Sequence, residues 1–310
     1  MSNKRPWHKR LKYRLIYILV WTIILKSMIL PRKLLIVGCG LLGKLAYYLF
    51  GKERKNAVNN LNLAFGKEKT ADQIQKLVKR NFMMIGRNAG DLLNTISIRD
   101  IEKFEKYVEV KGKENLPPVN DGRGTIFLTA HLGSFDLVGS FLGLSGYKLH
   151  IIGKPLKDEK LNKMLADYRN TRGGVFVPRG QDTVKLFRAL KEGGSVAILI
   201  DLDTKVKSVF VDFFGHPAST PVGAALFALR TNARVVPIFI HMDDKMKQVL
   251  EILPEIQITH TGNEEQDIIE NTQRMSNTYE SIIRQHPDQW IWIHERWKTQ
   301  PSGEPTLVTN

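Results

Sequence analysis

Cysteine is almost missing from this chain: Cys39 is the single one in 310 residues. That excludes an internal disulfide and any cysteine-rich metal centre. Acid is missing from the start, since no aspartate or glutamate precedes Glu53. Uninterrupted apolar runs are short as well. A spanning helix wants about 20 apolar residues, whereas 15–30 and 34–50 are split by Pro31-Arg32-Lys33 and carry Lys26 and Lys44. A signal peptide would open with similar charges, but Lys26 interrupts the apolar region and no small-residue cleavage site follows. Internal repeats and low-complexity tracts are absent. So are zinc-binding spacings and the aromatic-and-basic pattern of single-strand binders, which argues against a nucleic-acid partner.

Positive charge is abundant. Lys and Arg number 46 against 31 acids, giving +15, and this favours an anionic partner such as acidic lipid or an acidic carrier protein. Lys4, Arg5, Lys9, Arg10, Lys12 and Arg14 crowd the start. Such a flank keeps an N-terminus cytoplasmic and binds anionic lipid, and lysines near the boundary snorkel to headgroups. Residues 1–50 therefore read as a membrane-embedding helical segment, either one span or a shallow hairpin, with a catalytic domain over 51–310. Within the segment, Gly38-Cys-Gly40-Leu-Leu-Gly43 spells a dinucleotide fingerprint after Leu34-Leu-Ile-Val37. The strand and ribose-binding acid that should follow are missing from 54–66. Glycines in an apolar helix more often serve close packing.

Further on, Ile74, Leu77, Val78, Phe82 and Ile85 follow a helical period across 70–95. Strands are expected at 107–111, 125–130, 147–153, 174–177, 195–200, 208–213, 234–240 and 248–253. Helices are expected near 134–145, 158–171, 181–192, 220–231 and 264–286. Short buried strands alternating with helices argue an α/β fold, a largely parallel mixed sheet flanked by helices. At 43% hydrophobic residues, the chain can bury one large core or two modest ones.

The apolar run Ile126-Phe-Leu-Thr-Ala130 leads straight into His131-Leu-Gly-Ser-Phe-Asp136. Ligands of such sheets sit beyond the carboxyl ends of strands, where His131 falls. An imidazole held by a carboxylate takes a proton from an alcohol near neutral pH. His131 and Asp136 thus form the relay half of a serine-protease triad, with the substrate bringing the hydroxyl. Acids fill 31 of 310 positions, so eight histidines give about one such spacing by chance. A second match, His260-Thr-Gly-Asn-Glu-Glu265, reads as a polar turn before an acidic helix start.

The segments downstream decide between them. Gly174-Val-Phe-Val-Pro-Arg179 puts an arginine past a strand, and Val196-Ala-Ile-Leu-Ile200 ends at Asp201-Leu-Asp203. Phe213-Phe-Gly-His-Pro217, Arg234-Val-Val-Pro-Ile238 and Gln289-Trp-Ile-Trp-Ile-His-Glu-Arg-Trp-Lys298 follow, with Asn59-Asn-Leu-Asn-Leu-Ala-Phe65 upstream. In this order they resemble the lysophospholipid acyltransferase superfamily, and most closely its branch of lipid A late acyltransferases. The resemblance covers nearly the whole chain. It implies His131 as general base with Asp136 as its partner, and Arg179 and Asp201 as substrate-binding residues near the active site. The acidic-glycine-threonine-arginine block of glycerolipid members is missing, which argues against glycerol phosphate as acceptor.

The implied reaction moves an acyl chain from acyl carrier protein to a hydroxyl of a lipid A precursor, an anionic phosphorylated glycolipid. It would take place at the cytoplasmic face of the bacterial inner membrane. No enzyme nucleophile, metal or other cofactor is expected. Three alternatives stay open: acylation of a lysophospholipid or of another membrane glycolipid such as a phosphoinositol mannoside, hydrolysis with water at the same base, and a non-catalytic basic protein that binds membrane. The Trp290, Trp292 and Trp297 cluster suits core or membrane-interface packing.

Overall fold

A computed structural model describes residues 7–27, 29–95, 98–119, 121–153, 158–178 and 183–302. Four helices come first: α1 (Trp7–Ser27), α2 (Arg32–Leu49), α3 (Gly51–Phe65) and α4 (Ala71–Asn94). Then α5 (Ile101–Tyr107), β1 (Val108–Lys111), β2 (Thr125–Leu128), α6 (Asp136–Leu144), β3 (Leu149–Gly153), α7 (Glu159–Asn170) and β4 (Gly174–Pro178) alternate. After them come α8 (Thr183–Lys191), β5 (Ser195–Ile198), β6 (Ser208–Phe213), β7 (His216–Pro221), α9 (Gly223–Thr231), β8 (Arg234–Met242), β9 (Gln248–Ile252) and α10 (Glu264–Gln285). Seven strands form one sheet in the order β1-β9-β8-β2-β5-β3-β4. Every neighbouring pair in it is parallel except β8 with β9.

β2 and β5 lie at the centre of the sheet, and all four residues of each are buried. That is why they read as unbroken apolar runs rather than alternating ones. Helices cover both faces. One core gathers α3, α4, α8, α9, α10 and the tryptophan tail, and the other packs α5 and α6 on the opposite face. The helix starts follow sequence chemistry. Thr70 and Gln73 close a capping box on α4, while Asn263 caps α10 ahead of Glu264, Glu265 and Asp267.

Three elements depart from the expected pattern. The residues after Phe213 form a second strand, β7, pairing antiparallel with β6. Phe214 and Gly215 both take positive φ at the turn between them, as a tight two-residue hairpin demands. β7 contains two prolines and small polar residues, so its propensity argues against a strand. The seven-residue α5 occupies a stretch with no long apolar period. The asparagine-rich segment around residues 54–66 forms α3, and its Asn60 serves the site described below.

The amino-terminal helices also differ from a free anchor. α2 lies tightly against α4: a Cβ on Gly43 would come 2.2 Å from the Phe82 carbonyl oxygen, and one on Gly86 equally near that of Cys39. The false dinucleotide fingerprint is therefore a helix-crossing surface. Arg32 at the start of α2 makes a two-pronged ion pair with buried Asp91 of α4, at 2.7 Å for each prong. Among the described residues no single helix is long and apolar enough to cross a bilayer; α2 and α3 meet that measure only jointly, bent by 92°. Leu11, Leu15, Ile18 and Leu25 of α1 and Leu34, Leu41, Leu42 and Leu45 of α2 are nevertheless exposed.

The crossing makes a prediction with opposite signs at two glycines. Gly86→Ala should destabilise the protein by about 1–3 kcal/mol, because its methyl group meets backbone that must move. Gly38, with nothing within 4 Å of its Cβ position, should gain about 0.5–1 kcal/mol as alanine from helix propensity alone. Thermal unfolding midpoints of the two variants in one detergent check this, and equal shifts would dismiss the crossing.

Candidate active site

Strand register brings the two central residues together. In the parallel pair β2–β5, Leu128 stands beside Ile198. His131 and Asp201 each lie three residues further on, so they leave the sheet side by side. The imidazole Nδ1 of His131 is 2.9 Å from Asp201 Oδ1, and the His131 amide donates to Asp201 Oδ2 at 2.8 Å. The Trp290 indole donates to the same Oδ2 at 2.8 Å. With a carboxylate on Nδ1, that nitrogen carries the proton and Nε2 is the acceptor. The Asp201 side chain is fully buried and that of His131 is 26% exposed. The couple thus has one wet end, the imidazole.

Burial pushes the Asp201 carboxyl up, but the facing His131 charge and the hydrogen bonds from His131 and Trp290 outweigh it and hold the group below its ordinary value. Its native value lies under its unfolded one, so ionised Asp201 stabilises the fold above the ordinary carboxylate range. That contribution is lost only as pH falls through the lower native value. Behind it, the buried Arg296 guanidinium is pushed down to about 10 by burial, against the pull of Asp201 and Asp203. Arg296 donates to the Ser219 carbonyl and Thr220 Oγ1 and lies 5.0 Å above the Phe213 ring.

The structure therefore corrects one expectation: the carboxylate on the His131 ring is Asp201, not Asp136. Asp136 opens α6 and instead accepts two hydrogen bonds from Arg169 of α7, at 3.0 and 2.7 Å. Arg179 lies outside the described residues. His260 is largely exposed, 4.0 Å from an Asp267 carboxylate that accepts from Thr261. It belongs to a turn ahead of α10.

Several residues of the site were given no role in it by sequence reasoning. Trp290 is both core and donor, wholly buried yet bonded to Asp201. Its backbone forms an antiparallel bridge with Leu132, flanked by Ile291 N–H to His131 O and Gly133 N–H to Gln289 O. Asparagines hold this tail in place. Asn60 of α3 donates to the Trp292 and His294 carbonyls, and Asn81 of α4 to those of Asp288 and Trp290. Tyr279 of α10 donates to Thr129 O and accepts from the Ile200 amide, joining the two strand ends just before His131 and Asp201. The His294 pKa is lowered, by burial first and by the neighbouring His131 second. The repeated asparagines and the aromatic tail were the signals for this set, but neither says which carbonyl or carboxylate it meets.

Relatives of the chain share its length and carry acyl-transfer names. It is 28% identical to the lipid A biosynthesis lauroyltransferase of Escherichia coli (strain K12), over 87% of both chains. It is 26% identical to lipid A biosynthesis acyltransferase 2 of Shigella flexneri, over 85% of this chain and 83% of that one. The phosphatidylinositol mannoside acyltransferase of Mycobacterium tuberculosis (strain ATCC 25618 / H37Rv) is 26% identical over 57% of this chain and 55% of its own. With its His–Asp couple at the mouth of a parallel sheet, the chain is an α/β acyltransferase. Residues 3–299 match the family described as bacterial lipid A biosynthesis acyltransferase, and the chain belongs to that family.

Proposed function

We propose that this protein is a membrane-associated O-acyltransferase that moves a fatty acyl chain from acyl carrier protein to a hydroxyl of a lipid A precursor. The reaction runs at the cytoplasmic face of the bacterial inner membrane. The observation that carries this reading is the His131–Asp201 couple, whose open imidazole waits for a hydroxyl in a family that acylates lipid A. Nε2 of His131 takes the proton as the alcohol oxygen attacks the thioester carbonyl, a role worth about 10²–10⁴ in rate. Asp201 holds the tautomer and stabilises the imidazolium. Collapse of the tetrahedral intermediate expels the carrier thiolate, which recovers the proton.

The oxyanion needs donors, and the start of α6 supports that role. Phe135 precedes the helix without a side-chain cap, so no side chain engages the amides at this helix start. The amides of Leu137 and Val138 are engaged by the Ser134 and Phe135 carbonyls, and among the described residues those of Ser134 to Asp136 remain as donors. The Asp136–Arg169 pair fixes this helix start against α7. Arg179 binds a phosphate of the acceptor or of the carrier arm. The exposed leucines of α1 and α2 enter the bilayer, and the amino-terminal cations meet anionic headgroups.

Purified protein with labelled acyl carrier protein and a panel of lipid acceptors, read by mass, tests the reading. One acyl addition to a lipid A precursor is expected, with little on phosphoinositol mannoside or lysophospholipid. Acyl addition to the mannoside alone would overturn the acceptor. Free fatty acid formed equally with and without acceptor would make the protein a hydrolase.

A further inference from the structure

Away from the His131 couple, three metal-binding side chains converge from three elements. His241 lies near the end of β8, Glu251 on β9, and His286 closes the carboxyl end of α10. One nitrogen or oxygen from each lies within 4.8 Å of the others. The two imidazoles stack with centroids 3.6 Å apart and planes 16° from parallel. His241 is 6% exposed, and its Nδ1 is buried with no hydrogen-bond partner among the described residues. Glu251 Oε1 is 3.9 Å from that nitrogen, too far for a hydrogen bond.

Buried imidazole nitrogens ordinarily find a partner. Here the geometry offers one kind of partner to all three groups at once, and we propose that His241, Glu251 and His286 form a binding site for a divalent transition-metal ion of the zinc class. Two imidazoles and a carboxylate are an ordinary zinc set, and they leave one position for water. Tetrahedral zinc bonds of about 2.0–2.1 Å require donors roughly 3.3 Å apart, so the three ligand atoms, within 4.8 Å of one another here, draw closer on binding. An access route exists. A cleft of about 500 Å³, lined by His241 and His286 together with Arg80, Asp243, Asp244 and Asp288, leads to them. Arg80 pairs with the last two of these acids. Burial lowers both rings, with Lys111 on β1 adding to it, while Glu251 and Asp288 oppose it at His286. Burial is the larger cause and pulls His241 down to about 4.

The ion would act as a clamp rather than in acyl transfer. It would fasten the β8–β9 hairpin to the end of α10. Three residues past His286, Gln289 exchanges two hydrogen bonds with Met242 and accepts from Gly133 in the His131 loop.

The test uses the full chain in detergent, stripped by chelator, dialysed, and titrated with zinc sulfate by calorimetry and with cobalt(II) chloride by visible absorption. One ion per chain is expected, with the strong bands of four-coordinate cobalt. Glu251→Gln and His286→Gln should each weaken binding at least ~10-fold, while His260→Gln leaves it unchanged. Zinc should raise the thermal midpoint of the wild type and not that of Glu251→Gln. Glu251 is partly exposed, so that variant keeps the test valid if changes at His241 impair folding. Absence of stoichiometric binding, or binding indifferent to Glu251 and His286, would overturn the assignment.

Discussion

Asp201→Asn should lower kcat by about 10⁴, the scale of loss when the aspartate of a Ser-His-Asp relay is neutralised. The direction follows from the hydrogen bonds. Asp201 Oδ2 accepts from two obligate donors, the His131 amide and the Trp290 indole. The new amide oxygen must therefore face them, which turns its NH₂ toward Nδ1 of His131. Nδ1 becomes an acceptor, the proton moves to Nε2, and the base is blocked. Asp136→Asn instead loosens the grip of Arg169 and leaves the tautomer alone, so its loss should stay within roughly 10-fold. Steady-state kinetics on both variants, with circular dichroism to confirm folding, check the order. A larger loss at Asp136 would return the partner's role to it.

His131→Ala should reduce turnover by at least ~10² with KM for either substrate nearly unchanged, since it removes proton transfer rather than binding. The ring is a quarter exposed and makes an edge contact with Phe135 at 5.0 Å, so its loss leaves no buried cavity of consequence. His260→Ala should be near neutral. Reversed outcomes for the two histidines would mean that the proton acceptor is the other one.

Local chemistry was legible in the sequence and long-range adjacency was not. The apolar run before His131 marked a strand, and the pattern after it marked a helix. Both stand, because a buried central strand and an amphipathic helix write their periods into neighbouring residues. Asp136 was chosen because it is near in the chain. Asp201 is 70 positions away and meets His131 only because the sheet order sets β5 beside β2, with β3 and β4 between them in sequence. Nothing in a spacing reveals that order. Likewise the glycines of α2 read as packing surface, while the helix they pack on was hidden until Gly86 and Gly90 of α4 met Cys39. The asparagines of α3 gave no hint of their partners; Asn60 donates to carbonyls more than 200 residues downstream.

The bridge between Leu132 and Trp290 sets an order of events during synthesis. A nascent chain can pair β2 with β5 once both have left the ribosome, and His131 then finds Asp201 early. One oxygen of that carboxylate still lacks its indole donor, and Gly133 still lacks the Gln289 carbonyl, until the last portion of the polypeptide emerges. Contacts of such sequence separation form late. The acid–base pair therefore gains its full set of hydrogen bonds only after translation through Trp290.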